Sequence, residues 1–95
     1  MIRNVVMGRV RPGAEAALED GLAGIAALDL PGMLANHVGR DAGLRAGGWD
    51  FAITNDWTDG AAYQAYDVDP EHNVHRASVV EACEQVARVQ FEIPG

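Results

Sequence analysis

The chain contains no lysine; all seven of its basic residues are arginines. That absence removes any mechanism running through a lysine Schiff base. It also removes the Gly-Lys-Ser/Thr signature of a phosphate loop, and the glycines at 39, 43, 47 and 48 form no GxGxxG pattern. A single cysteine, Cys83, cannot close an internal disulfide, and one thiolate is a poor start for a metal site. It is expected in the last helix, facing the core as a small inert hydrophobe. Serine occurs once, at Ser78, outside any nucleophile-elbow context. No apolar run is long enough to span a bilayer. The apolar start at Met1 is broken at once by Arg3 and Asn4, so no signal peptide is read and a cytoplasmic protein is expected.

Positive charge is scarce as well. Fourteen acidic against seven basic residues leave a formal charge of −7, and Arg3, Arg9 and Arg11 are the one local concentration of cations. Nucleic-acid binding needs phosphate neutralisation, so it is not expected. An anionic membrane surface is disfavoured for the same reason.

What is present is enough for one domain, residues 1–95. A hydrophobic content of 48% argues against disorder. A monomer of this length has a modest core, which self-association would enlarge.

Alternation predicts a strand over 2–11, with Ile2, Asn4, Val6, Gly8 and Val10 on one face. Leu18, Leu22 and Ile25 at helical spacing predict a helix over 14–28, closed by Pro31-Gly32. Residues 33–41 are a weaker strand. Residues 49–57 alternate cleanly, with Trp49, Phe51, Ile53, Asn55 and Trp57 sharing a face. Asn4 and Asn55 therefore lie on otherwise apolar faces. A short helical piece over 59–66 restarts after Asp69, a plausible N-cap, with Pro70 in the first turn. Residues 86–93 return to alternation, Val89, Phe91 and Ile93 opposite Arg88, Gln90 and Glu92. The order is β-α-β-β-α-β, an α+β ferredoxin-like arrangement: a four-stranded antiparallel sheet with two helices on one face. Val5, Met7, Ala52 and Thr54 would lie on the other face, where a second copy would complete a homodimer.

The stretch "AYDVDPEHNVHR", residues 65–76, holds two of the three histidines. Asp69, His72 and His75 give D-x-x-H-x-x-H, a set that would reach a metal only with a further ligand such as His37. No metal and no cofactor is expected. An acid–base pair is the better reading. His72 in the first helical turn is held neutral by the helix field, as a general base should be, and the Tyr66 hydroxyl would orient a carbonyl or enol. Spacing alone favours a structural reading over catalysis: Tyr66 packs by its ring, His72 caps locally, and Asn4 and Asn55 are satisfied buried amides. Trp57 and Tyr63 suit core or dimer surface better than a pocket wall.

The runs "MIRNVVMGRVRPGAEAALEDGLAGI", "WDFAITNDWTDGAAYQAYDVDPEHNVHR" and "VARVQFEI" resemble the stress-responsive A/B barrel (Dabb) family over nearly the whole chain. The resemblance implies a dimeric α+β barrel with a cavity between sheet and helices. A plant cyclase of that family closes a linear polyketide by aldol condensation without a cofactor. Its catalytic tyrosine and histidine fall on Tyr66 and His72. Its first-strand histidine falls on Asn4, which cannot act as a base near neutral pH. Asp69 replaces the histidine of a His-Pro pair, Leu22, Ala23 and Ala26 replace aromatic wall residues, and His75 replaces another. The expected function is small-molecule binding in that cavity, with cyclase-like acid–base catalysis by His72 and Tyr66 as the alternative. Asn4, Val6, Leu22, Ile53, Asn55 and His75 are the expected substrate contacts.

Overall fold

The computed structural model describes residues 1–95. Its elements run β1 (Ile2–Val10), α1 (Glu15–Ala26), β2 (Met33–Arg40), β3 (Phe51–Trp57), α2 (Gly60–Asp67), α3 (Pro70–Glu81) and β4 (Cys83–Glu92). The strands form one antiparallel sheet in the order β2-β3-β1-β4.

Two features of the expected fold are corrected. There are three helices, not two. The second helical segment breaks at Val68, because Pro70 supplies no backbone N–H to continue α2. Asp69 starts α3 afresh, its carboxylate accepting from the His72 backbone N–H at 2.9 Å. Nor is the sheet closed into a barrel: β2 and β4 each pair on one side only and remain free edges.

Cys83 also sits elsewhere than expected. It opens β4 rather than lying in the last helix, because α3 stops at Glu81. Its thiol still packs in the main core, with Leu18, Leu22, Ile25, Phe51, Ile53, Val79 and Ala82. These residues, with the partly buried Val6 and Val10 of β1, join the apolar face of β1 and β3 to α1 and α3. Burial of such side chains contributes about 1.5–3 kcal/mol each. A second, smaller cluster of Leu28, Trp57 and Tyr66 lies under α2.

Two glycines shape this layer. Gly32, at φ 83°, turns the chain into β2 in a conformation that a side chain would strain. Gly21 lets α1 approach α3 closely: a Cβ there would come within 3.1 Å of the Val79 backbone nitrogen. No helix is long and apolar enough to cross a membrane.

Candidate active site

Three strands put an amide at the same level on the helix-covered face, and the fourth adds another. Register aligns Asn36 of β2 with Asn55 of β3, Asn55 with Asn4 of β1, and Asn4 with Gln90 of β4. The amides bond in one direction across the whole sheet. Gln90 Nε2 donates to Asn4 Oδ1 (3.0 Å), and Asn4 Nδ2 donates to Asn55 Oδ1 (3.0 Å). Asn55 Nδ2 donates to Asn36 Oδ1 (3.4 Å), and Asn36 Nδ2 ends the row on the Ile25 carbonyl of α1 (2.9 Å).

Asn55 is the hub. Its Oδ1 also accepts the Trp57 indole N–H at 2.8 Å, and its Nδ2 donates to the Tyr66 hydroxyl oxygen at 3.3 Å. Asn4 and Asn55 are both buried. A buried amide without partners would cost about 1–3 kcal/mol, and this row leaves each of them bonded.

The aromatic side chains stand on the row. Tyr66 lies against Trp57 with ring centroids 4.6 Å apart, and His72 stacks on Tyr66 at 3.8 Å and 27°. The stacking follows from the chain break. Tyr66 is in the last turn of α2 and His72 in the first turn of α3, so the break folds one ring over the other. The Tyr66 and His72 rings stack rather than join through a hydroxyl–imidazole hydrogen bond.

Both rings are held in their neutral forms. Burial pulls the His72 pKa below the ordinary value of 6.5, and the Arg76 guanidinium adds to that; the Tyr66 backbone, Asp67 and Asp69 oppose it. The expected direction thus holds, with burial rather than the helix terminus as its first cause. His72 Nδ1 is buried and has no hydrogen-bond partner. The Tyr66 backbone lies near enough to favour the protonated ring, without a well-aligned hydrogen bond. Burial raises the Tyr66 pKa above 10, against the bond from Asn55. Its hydroxyl therefore stays protonated. Since Asn55 donates to the oxygen, the O–H is left to donate elsewhere.

A narrow cleft opens over this pair, with about 40 Å³ of free space. Tyr66 and His72 line it, and so do Asn4, Val6 and Ile53. Three expected contacts do not. Leu22 belongs to the core, and Asn55 sits behind Asn4 and Tyr66. His75 points the other way along α3, its imidazole filling the space over Gly24 of α1. The cleft gains Ile25, Tyr63, Asp67, Arg76, Val79, Val80, Val86 and Arg88, which were not among the expected contacts.

Arg88 had a visible signal, the polar side of an alternating strand. That side faces the helices on β4, while Val89 and Phe91 face out. No three His, Cys, Asp or Glu side chains come together as a metal ion requires. His37 stands opposite Thr54 on the uncovered face, and Asp69 is committed to its cap.

The comparisons agree with this geometry. Residues 2–93 match the model of the Stress responsive A/B Barrel Domain, Dabb. A dimeric ferredoxin-like protein of unknown function from Thermobifida fusca YX is 27% identical, with a TM-score of 0.82 over 97% of this chain and 90% of that one. One from Jannaschia sp. CCS1, described in the same words, is 24% identical, with a TM-score of 0.83 over 97% and 98%. The hydroxynitrile lyase of Passiflora edulis shares the fold at 20% identity, with a TM-score of 0.82 over 98% and 93%. No curated protein matches the chain. A family match across nearly its full length, on a protomer with this strand order, means that the chain belongs to the stress-responsive A/B barrel domain family.

Proposed function

We propose that this chain is a cofactor-independent acid–base enzyme of the polyketide-cyclase kind, acting on a small organic molecule with an acidic C–H beside a carbonyl. His72 is the base, and Tyr66 is the donor to the carbonyl oxygen. The observation that carries this reading is the buried, uncharged His72 ring with its unpartnered Nδ1, on the wall of a cleft it shares with Tyr66. Unpartnered polar atoms inside a protein are uncommon, and a catalytic role is one of the few reasons to keep one.

His72 takes the proton from the carbon next to the carbonyl. The C–H electron pair forms the C=C bond of an enolate, and the carbonyl oxygen takes up the negative charge. The Tyr66 O–H donates to that oxygen while Asn55 fixes the phenol in place. The imidazolium then returns its proton to carbon. If the enolate first adds to a second carbonyl, a C–C bond closes a ring and the proton goes to the new alkoxide. Val6 and Ile53 form the apolar wall of the subsite and Asn4 its polar floor. Asn55 supports the site from behind through its bonds with Asn4 and Tyr66. Free space of about 40 Å³ holds roughly three waters, which favours a compact substrate over a long linear chain.

In deuterium oxide, the protein will exchange the α-protons of small β-dicarbonyl compounds faster than buffer of the same pH, read by proton NMR. A panel of linear and cyclic β-dicarbonyls that all exchange at the buffer rate would overturn the proposal.

The protein further acts as a homodimer through the uncovered sheet face. Val89 and Phe91 are exposed there, Met7 is 39% exposed, and register sets Val5 beside Val89 and Met7 between Ala52 and Ala87. So continuous an apolar patch on a short chain marks an interface. On the same face the Asp56 carboxylate is held below its usual pKa by two hydrogen bonds from Arg3 (2.8 and 2.9 Å). Sedimentation equilibrium will give twice the 10.1 kDa chain mass, and Val89→Glu will return it to a single chain. A wild-type monomer at micromolar concentration would sink this part. The free Cys83 suits a cytoplasmic setting.

A further inference from the structure

The charges around the cleft do not cancel. Arg76, Asp67 and Arg88 all line it. Arg76 is spent: its guanidinium bonds the Asp67 carboxylate at 2.6 Å, the Asp67 carbonyl at 3.0 Å and the Asn73 side chain. That clamp fixes one cation against one anion and leaves neither free for a ligand. Arg88 forms none of the chain's salt bridges and no side-chain hydrogen bond. It projects from β4 at the level of Val6 of β1, on the helix-covered side, and stays exposed to solvent. One uncompensated positive charge therefore stands at the mouth of the cleft, in a chain whose formal charge is −7.

We infer that the cleft selects a carbonyl compound bearing a carboxylate, and that Arg88 is the residue that holds that carboxylate. The inference rests on the acid–base reading for the position of the carbonyl and adds the substrate class to it. A planar guanidinium with all its donors free matches a carboxylate two bonds at a time. The charge count fits a monoanion: the Asp67–Arg76 pair is neutral as a unit, which leaves Arg88 as one net positive charge at the cleft. The small free volume fits a short keto acid, with its carboxylate at the solvent-exposed mouth and its carbonyl against Tyr66.

The test compares acetoacetate with methyl acetoacetate, which differ in that one charge. Wild-type protein will exchange the α-protons of acetoacetate with a KM lower by about tenfold, the scale of one charge-assisted hydrogen bond at a half-wet site. Arg88→Gln will raise KM for acetoacetate by about tenfold, leave kcat within about twofold, and leave the ester unchanged. Arg88→Lys will recover part of the difference. Exchange of both compounds with the same acid-to-ester ratio in wild type and Arg88→Gln would overturn the carboxylate subsite while leaving the acid–base reading intact.

Binding is read separately by the His72 ring signals. If neither compound exchanges, a shift of those signals on adding acetoacetate, absent in Arg88→Gln, supports the subsite and sinks the base. No shift in either protein overturns the subsite.

Discussion

Replacing His72 with glutamine will lower α-proton exchange by about 10²–10⁴-fold, the usual contribution of a positioned general base. Glutamine keeps a planar polar group on Tyr66 but cannot carry a proton between carbon and oxygen. The loss will fall on kcat, with KM little changed, because the carboxylate and the carbonyl oxygen keep their partners. Folding will lose about 1 kcal/mol, the scale of one aromatic stack.

The pH profile gives a second readout. Only the neutral ring acts as a base, and burial lowers its pKa in the folded protein. The acid limb of the rate will therefore have its midpoint below the ordinary histidine value of 6.5. Stability follows the same sign. The folded pKa is lower than the unfolded one, so between the two the unfolded chain binds more protons. The contribution is fully present above about 6.5, and is lost as pH falls through the folded value. Denaturant melts of wild type and His72→Gln will diverge at neutral pH and converge in acid. A rate that is flat across this range, or a variant that keeps full exchange, would remove His72 from the mechanism.

Asn55→Ala will destabilise the fold by about 3–5 kcal/mol. Asn55 accepts from two donors on its oxygen and donates to two acceptors from its nitrogen. Alanine orphans the Trp57 indole N–H and the Asn4 amide inside the core, at about 1–3 kcal/mol for each buried group left unpaired. Against a total of about 5–15 kcal/mol for a domain of this kind, that is a large share. The melting temperature will fall by roughly 15 °C or more.

Activity will suffer separately, because the Tyr66 hydroxyl loses the bond that fixes it. Gln90→Ala, at the exposed end of the same row, will cost less than about 1 kcal/mol, since water replaces the lost donor there. Equal losses from the two substitutions would mean that burial along the row does not set its energetics. A loss under about 1 kcal/mol for Asn55→Ala would mean that water reaches the hub.

Residues 65–76 were legible in advance, because helix breaks and caps are local. Pro70 and Asp69 lie within a few positions of the rings they bring together, so the sequence alone indicates that Tyr66 and His72 flank one chain break. The faces of β1 and β3 were legible for a similar reason: alternation is a property of neighbours. Asn4 and Asn55 therefore stood out as polar residues on apolar faces.

Their partners did not. Asn36 and Gln90 lie in strands of weak or ambiguous alternation, and Gln90 reaches Asn4 across 86 positions of chain. The row of four amides exists only once register is set, and register is set by the whole sheet.

The placement of His75 illustrates the same limit. Its spacing from His72 allows one side of the helix, but close packing of α1 over Gly24 captures it instead. The sequence by itself determined the order of the strands, the buried faces of β1 and β3, and the absence of lysine and of an internal disulfide. Only the tertiary structure decided that β4 turns Arg88 toward the cleft, that Arg76 is consumed by Asp67, and that the space over Tyr66 is small. Those are outcomes of packing between distant segments, where burial and hydrogen bonding choose among faces that local spacing leaves equivalent.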